Sequence, residues 1–104
     1  DDNNQVMRFE MFQATARYET ANGRKYLTQL CKHWAHKLDV SYEDDHGEVG
    51  FSFGKAIMNS DPAGLDVRME VNDKADLAKA KAVLEDHLMR FAFREPVQKL
   101  DWKE

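Results

Sequence analysis

The segment from Cys31 to His36 concentrates residue types that bind metals and transfer protons. It reads Cys-Lys-His-Trp-Ala-His and so places one thiol and two imidazoles within six positions. Sulfur and nitrogen ligands of this kind suit zinc. On a helix, Cys31 and His33 project about 160° apart, whereas His33 and His36 are only about 60° apart. The spacing therefore lets the two histidines share a ligand and sets Cys31 apart.

A metal site on this helix needs a third ligand from elsewhere in the chain, and His87 or a carboxylate is the candidate. The plain alternative is two exposed histidines on a basic helix. Cys31 falls on the apolar stripe of the same helix, which predicts a small core residue because free cysteine is usually buried. These residues leave the identity of any metal or cofactor unknown.

A second polar group recurs along the segment that ends near Glu95. His87, Arg90 and Arg94 are spaced i, i+3 and i+7, which places them on one side of a helix. Two guanidiniums and an imidazole can hold a carboxylate or a phosphate, because arginine contacts such anions through two parallel hydrogen bonds. The structural alternative is that the arginines complement the carboxyl end of the helix, with Arg94 paired to Glu95 or to an acidic strand residue.

Charge is distributed unevenly along the chain. The formal net charge is −4, which argues against a nucleic-acid partner, since binding to phosphate backbones needs clustered lysine and arginine. Residues 21–38 nevertheless contain four basic residues, two histidines and no acid, whereas acidic residues gather around residues 43–48. A positive helical side of this kind attracts small anions.

Apolar periodicity predicts the elements that position these side chains. Helical stripes cover residues 23–37 and about 73–95. Period-two alternation predicts strands at 12–18, 40–42, 49–53 and 65–71, and a short closing strand at 97–102. Gly54 predicts a bend or bulge in a strand that continues to Asn59, with a chain reversal at Gly54 as the alternative.

Helices with one apolar stripe and strands with one apolar face need two layers to bury both. We therefore predict an α+β two-layer sandwich, an antiparallel sheet with two helices on one face, in the order β-α-β-β-β(β)-α-β. Residues 11–104 form the single domain, and the polar residues 1–10 form a loose arm. No apolar run is long enough to cross a membrane, and a single cysteine allows no internal disulfide, so a cytoplasmic protein is expected.

Two long motifs carry a resemblance to a bacterial family. They are the segment from Arg24 to Lys37, which contains Tyr-Leu-Thr-Gln-Leu-Cys-Lys-His, and the segment from His87 to Glu95, followed by Trp102. Across about residues 11–103 the chain resembles the small bacterial proteins grouped as domain of unknown function 2218. The resemblance implies a TBP-like fold and no assigned reaction, and its association with siderophore-interacting flavin reductases hints at iron uptake. It also implies a preferred set of site residues: His33, His36, Lys37, His87, Arg90 and Arg94.

Three functions are compatible with these residues. The first is a binding module for a small anionic ligand or iron chelate, with the basic helix and the His87–Arg94 side converging on one patch. The second is a protein-interaction or homodimerisation domain without a small ligand, which needs an exposed apolar patch. Met58, Met69 and Met89 are candidates for that patch. The third is an enzyme with histidine acid–base groups, which ranks last because no nucleophile or cofactor motif accompanies them.

Overall fold

The alternating segments form one five-stranded antiparallel sheet. The computed structural model describes residues 11–104, so the predicted arm at residues 1–10 lies outside the described residues. The strands are β1 (Phe12–Glu19), β2 (Asp39–Glu43), β3 (His46–Phe51), β4 (Gly54–Asp61) and β5 (Gly64–Val71). Their spatial order is β1-β5-β4-β3-β2. The helices are α1 (Gly23–Trp34) and α2 (Leu77–Phe91), the latter preceded by a 3-10 turn at Lys74–Asp76.

Both helices cover the same face of the sheet, where the core lies. Helix α1 packs over β2 to β5, α2 packs over β5 and β1, and the two helices contact each other. Residues opposite one another on β1 and β5 are buried on this face, as in the pairs Tyr18–Leu65 and Ala14–Met69. The predicted α+β two-layer arrangement is therefore confirmed.

Both helices end earlier than their apolar stripes predict. Helix α1 stops at Trp34, whose carbonyl accepts the backbone N–H groups of Lys37 (3.1 Å) and Leu38 (2.9 Å) in a turn. Helix α2 stops at Phe91, so Arg94 lies beyond the helix and not in its last turn. Near the start of α2, the Asp73 side chain accepts the Ala75 N–H at 3.0 Å and caps the 3-10 turn.

The chain reverses at Gly54, so the prediction of a bend or bulge in one long strand is wrong and the alternative is correct. Phe51 pairs with Gly54 across a two-residue turn. A Cβ at Gly54 would lie 2.0 Å from the Glu70 carbonyl oxygen of β5, and Gly54 has φ +156°. The glycine is therefore needed for close approach of two strands, while the turn itself consists of Ser52 and Phe53.

The predicted closing strand at 97–102 does not form. Only Lys103 pairs with the sheet, exchanging two backbone hydrogen bonds of 2.8 Å with Thr15. The carboxylate of Glu85 on α2 accepts the Leu100 N–H at 3.2 Å and the Trp102 indole N–H at 3.0 Å. This segment therefore docks on the helix, which satisfies its donors without a strand ladder.

Candidate functional site

Two of the predicted site histidines meet where the helices cross. His33 lies in the last turn of α1 and His87 lies on α2, and their ring centroids are 5.0 Å apart. The packing of α1 against α2 brings them together. Since the two residues are 54 positions apart in sequence, only the tertiary structure creates the pair.

The orientation of His87 is set by its own helix. Its Nδ1 lies 2.8 Å from the carbonyl oxygen of Val83, one turn earlier. Because a carbonyl can only accept, Nδ1 carries a proton, and Nε2 is the nitrogen left to face the surroundings. The ring is half-buried and lies 4.9 Å from the Trp34 ring, between centroids. His87 therefore presents a defined nitrogen at a partly apolar surface.

His33 is more exposed, and its surroundings oppose its protonation. Partial desolvation lowers the pKa of His33 below its usual 6.5. Electrostatic interactions with His87, Arg90 and His36 lower this pKa further, in that order. Its ring also contacts Phe91 at a centroid distance of 5.9 Å. At neutral pH the His33 imidazole is therefore uncharged, and a nearby negative charge would favour its protonated form.

A groove of about 410 Å³ begins at His33 and follows the turn after α1. Its lining residues are His33, Trp34, His36, Lys37 and Leu38. His36 and Lys37 reach it because α1 ends at Trp34 and the chain turns back over the helix end. Three of the six predicted site residues, His33, His36 and Lys37, therefore line one groove. His87 does not line it but lies against the ring of Trp34, which forms one wall.

The two predicted arginines occupy different surroundings. Arg90 does not line the groove, but it is close enough to His33 to lower the pKa of that histidine. Arg94 lies past the end of α2, with its guanidinium carbon 5.0 Å from the Phe93 ring centroid. Lys37, Arg90 and Arg94 form no ion pair within residues 11–104. By contrast, Arg24 on α1 forms an ion pair with Asp45, with Nε 2.9 Å from the carboxylate oxygen Oδ1.

The three-ligand metal site considered from the sequence is not assembled. Residues 11–104 contain no group of three histidine, cysteine or acidic side chains placed to hold a metal ion. His33 and His87 approach each other, but no other histidine, cysteine or carboxylate of the described residues completes a group of three with them. Two imidazoles alone leave most of the coordination sphere of zinc unfilled.

Cys31 is fully buried in the core, as its place on the apolar stripe predicts. Burial raises the pKa of its thiol to about 11.

We expect native Cys31 to react with a disulfide reagent such as DTNB at least about 100-fold more slowly than the urea-unfolded chain at pH 8, because reaction needs an accessible thiolate. Release of thionitrobenzoate measures both rates. Equal rates would contradict the buried position.

Sequence reasoning missed the role of Glu95, which was considered only as a partner for Arg94. Its carboxylate lies between the two helices and the end of β1 and accepts four hydrogen bonds. The donors are Thr20 Oγ1 (2.9 Å), Asn22 Nδ2 (2.9 Å), Tyr18 OH (3.4 Å) and the hydroxyl of Tyr26. Desolvation raises the pKa of Glu95, but these hydrogen bonds together outweigh it and lower the pKa. The signal available in the sequence was that Tyr18 and Tyr26 both lie on predicted apolar faces. Both tyrosines are buried in the structure, and a buried hydroxyl needs a hydrogen-bond partner.

A comparison with protein families decides the classification. The family model described as an uncharacterized protein conserved in bacteria (DUF2218) matches residues 15–103. The chain belongs to this family. The match includes both helices and all the site residues predicted above, so the groove described here is a feature of a DUF2218 domain.

A solved structure shares the DUF2218 fold seen here. The NMR structure of PA4090 from Pseudomonas aeruginosa aligns with a TM-score of 0.75 and 27% sequence identity, over 88% of this chain and 95% of that chain. The search of curated proteins found no match. No helix within residues 11–104 is long and apolar enough to span a membrane.

Proposed function

We propose that this DUF2218 domain binds a small anionic ligand in the groove beside His33 and His87. The observation that supports this most is the charge around His33: its neighbours His87, Arg90 and His36 all oppose its protonation. No carboxylate from residues 11–104 forms an ion pair with Arg90 or Lys37, so the positive charge of these two side chains is not neutralised by an ion pair within the described residues. A bound anion would supply the missing negative charge.

The groove also has the size and lining of a small-molecule site. Its volume of about 410 Å³ falls in the range that holds a ligand of drug-like size. Trp34 contributes an apolar wall, while His36 and Lys37 contribute polar groups that can orient an anion. We assign direct contact with the anion to His33, Lys37 and Arg90, and assign His36, His87 and Arg94 to its periphery.

An iron chelate is one ligand of this kind. Chelates built from carboxylate, catecholate or hydroxamate groups carry negative charge, and the association of some family members with siderophore-interacting flavin reductases suggests the same class of ligand. The proposal places the domain in the cytoplasm, where a single reduced cysteine is ordinary. It includes no catalytic step, because no nucleophile accompanies the histidines.

The test is an amide and histidine-ring NMR titration of the full chain with citrate, phosphate, ferric citrate and zinc, each separately. We expect saturable shifts at His33, Lys37 and Arg90 with an anion, and about a tenfold weaker affinity for Arg90→Gln, because a charged hydrogen bond is removed. Arg68→Gln is the matched control: Arg68 lies on β5 and pairs with Glu70 at 2.9 Å, so the same loss of charge there should leave affinity unchanged.

The pH dependence separates an anion site from a metal site. Since the pKa of His33 lies below 6.5 in the free protein, an anion that pairs with the imidazolium should raise it, and anion affinity should rise as the pH falls through this range. Metal binding needs neutral imidazoles and would weaken in the same range. No shift at millimolar anion, or shifts only with zinc and only at high pH, would overturn the proposal.

The alternative of an interaction domain loses part of its basis. It predicted an apolar patch that includes Met58, Met69 or Met89, but Met58 and Met69 are both fully buried in the core. Met89 is only partly exposed. Among residues 11–104 the exposed large apolar residues are instead Met11, Tyr42, Phe93 and Val97, on three different segments.

A further inference from the structure

The two edges of the sheet differ in whether they are covered. At β1, the outer edge is partly closed by Lys103, which exchanges two backbone hydrogen bonds of 2.8 Å with Thr15. At the other end of the sheet, β2 is the last strand, and no other strand of residues 11–104 pairs with its outer side. An unpaired strand presents a row of backbone donors and acceptors that can accept another strand.

The side chains of β2 follow a pattern that would select such a strand. Val40 and Tyr42 lie opposite Val49 and Gly47, and so point to the side of the sheet that carries the helices. Asp39, Ser41 and Glu43 alternate with them and point to the open face. Tyr42 is 40% exposed although it lies on the helix side. The edge therefore has an acidic side and an apolar side.

The acidic side of this edge is not neutralised. Neither Asp39 nor Glu43 forms an ion pair within residues 11–104, whereas Glu48 on the neighbouring strand pairs with His46 and Lys55. A depression of about 330 Å³ is lined by Asp39, Val40 and Glu48, and also by Lys55, whose ammonium group pairs with Glu48 at 3.7 Å and not with Asp39. An incoming basic side chain would find both space and an uncompensated carboxylate.

We propose that β2 is a docking edge for an extended segment of a partner protein. The segment carries basic residues opposite Asp39 and Glu43 and apolar residues opposite Val40 and Tyr42. Backbone hydrogen bonds supply affinity in this mode of recognition, and alternate side chains supply specificity. Because the β2 pattern is symmetric about Ser41, a basic-apolar-polar-apolar-basic segment fits it in either direction.

A second copy of this chain does not fit the same edge. Antiparallel pairing of two β2 strands about Ser41 would place Asp39 of each copy opposite Glu43 of the other. Like charges directly opposite each other destabilise a strand pair. The charges that exclude self-association thus favour a basic partner.

The test uses cyclic β-hairpin peptides as probes, since a closed hairpin presents its outer strand already extended. One peptide has the outer strand Lys-Val-Thr-Val-Lys and the other Glu-Val-Thr-Val-Glu. We expect the basic peptide to shift the backbone amides of residues 39–43 in the full chain and to slow their hydrogen exchange. Its affinity at low salt should exceed that of the acidic peptide by about tenfold, from two cross-strand ion pairs.

Charge reversal supplies the decisive control. The double variant D39K/E43K, shown to be folded by its amide spectrum, should prefer the acidic peptide. Equal binding of both peptides to the native chain, no shift at millimolar peptide, or shifts centred away from β2 would each overturn the proposal. The single variant Glu43→Lys, five residues beyond Leu38 at the end of the groove, should keep the saturable anion shifts at His33 while it weakens binding of the basic peptide, so failure of one proposal is distinguishable from failure of the other.

Discussion

We expect Gly54→Ala to lower the free energy of unfolding by about 3 kcal/mol, because the added methyl group has no space. The new Cβ would lie 2.0 Å from the carbonyl oxygen of Glu70 and 2.9 Å from the Cα of Val71. Both contacts are backbone atoms of β5, which cannot rotate away as a side chain would. Gly54 also has φ +156°, which alanine adopts at a cost.

Thermal and urea unfolding followed by circular dichroism measure this effect, and a fall in Tm of about 15 °C corresponds to the predicted loss. Gly50→Ala is the matched control, one strand earlier. A Cβ at Gly50 would meet only Asp39 atoms at 3.7 Å, which is ordinary contact. That variant should stay within about 0.5 kcal/mol of the native chain. Equal stabilities for the two variants would contradict the described approach of β4 to β5.

The second large effect is expected at Glu95, whose replacement by alanine should cost about 2 kcal/mol. Its carboxylate accepts hydrogen bonds from Thr20, Asn22 and both tyrosines at the point where β1, α1 and the end of α2 meet. Alanine would leave the buried hydroxyls of Tyr18 and Tyr26 without this partner. Urea denaturation gives the difference in free energy, and a Tm lower by about 10 °C is expected.

Two further variants show which interaction is lost. Arg94→Ala should be close to neutral, because Arg94 contacts the Phe93 ring and not Glu95. Glu95→Gln keeps the shape and removes the charge, and its deficit should depend on pH. Since the pKa of Glu95 is lowered by folding, the native advantage is present above about pH 4.5 and shrinks as the pH falls through the folded value. A large loss for Arg94→Ala would instead favour the Arg94–Glu95 pair.

Some relations within the candidate site could be predicted from sequence because helical spacing is local. The i, i+3 relation of His87 and Arg90 and the burial of Cys31 both follow from about 100° of rotation per residue. The same reasoning misplaced Arg94, since the apolar stripe of α2 continues past Phe91 while the backbone leaves the helix there. Periodicity reports which side chains can face a core, but not where the backbone hydrogen bonds stop.

The sequence alone determined the two-layer α+β architecture and its one-sided core, because alternation and helical stripes are properties of neighbouring residues. Only the tertiary structure decided the reversal at Gly54, which depends on the approach of β5, and the docking of residues 100–102 on Glu85. It alone also brought His33 to His87 and Glu95 to Thr20 and Tyr26. Those contacts join residues more than 50 positions apart in sequence, so no local pattern encodes them.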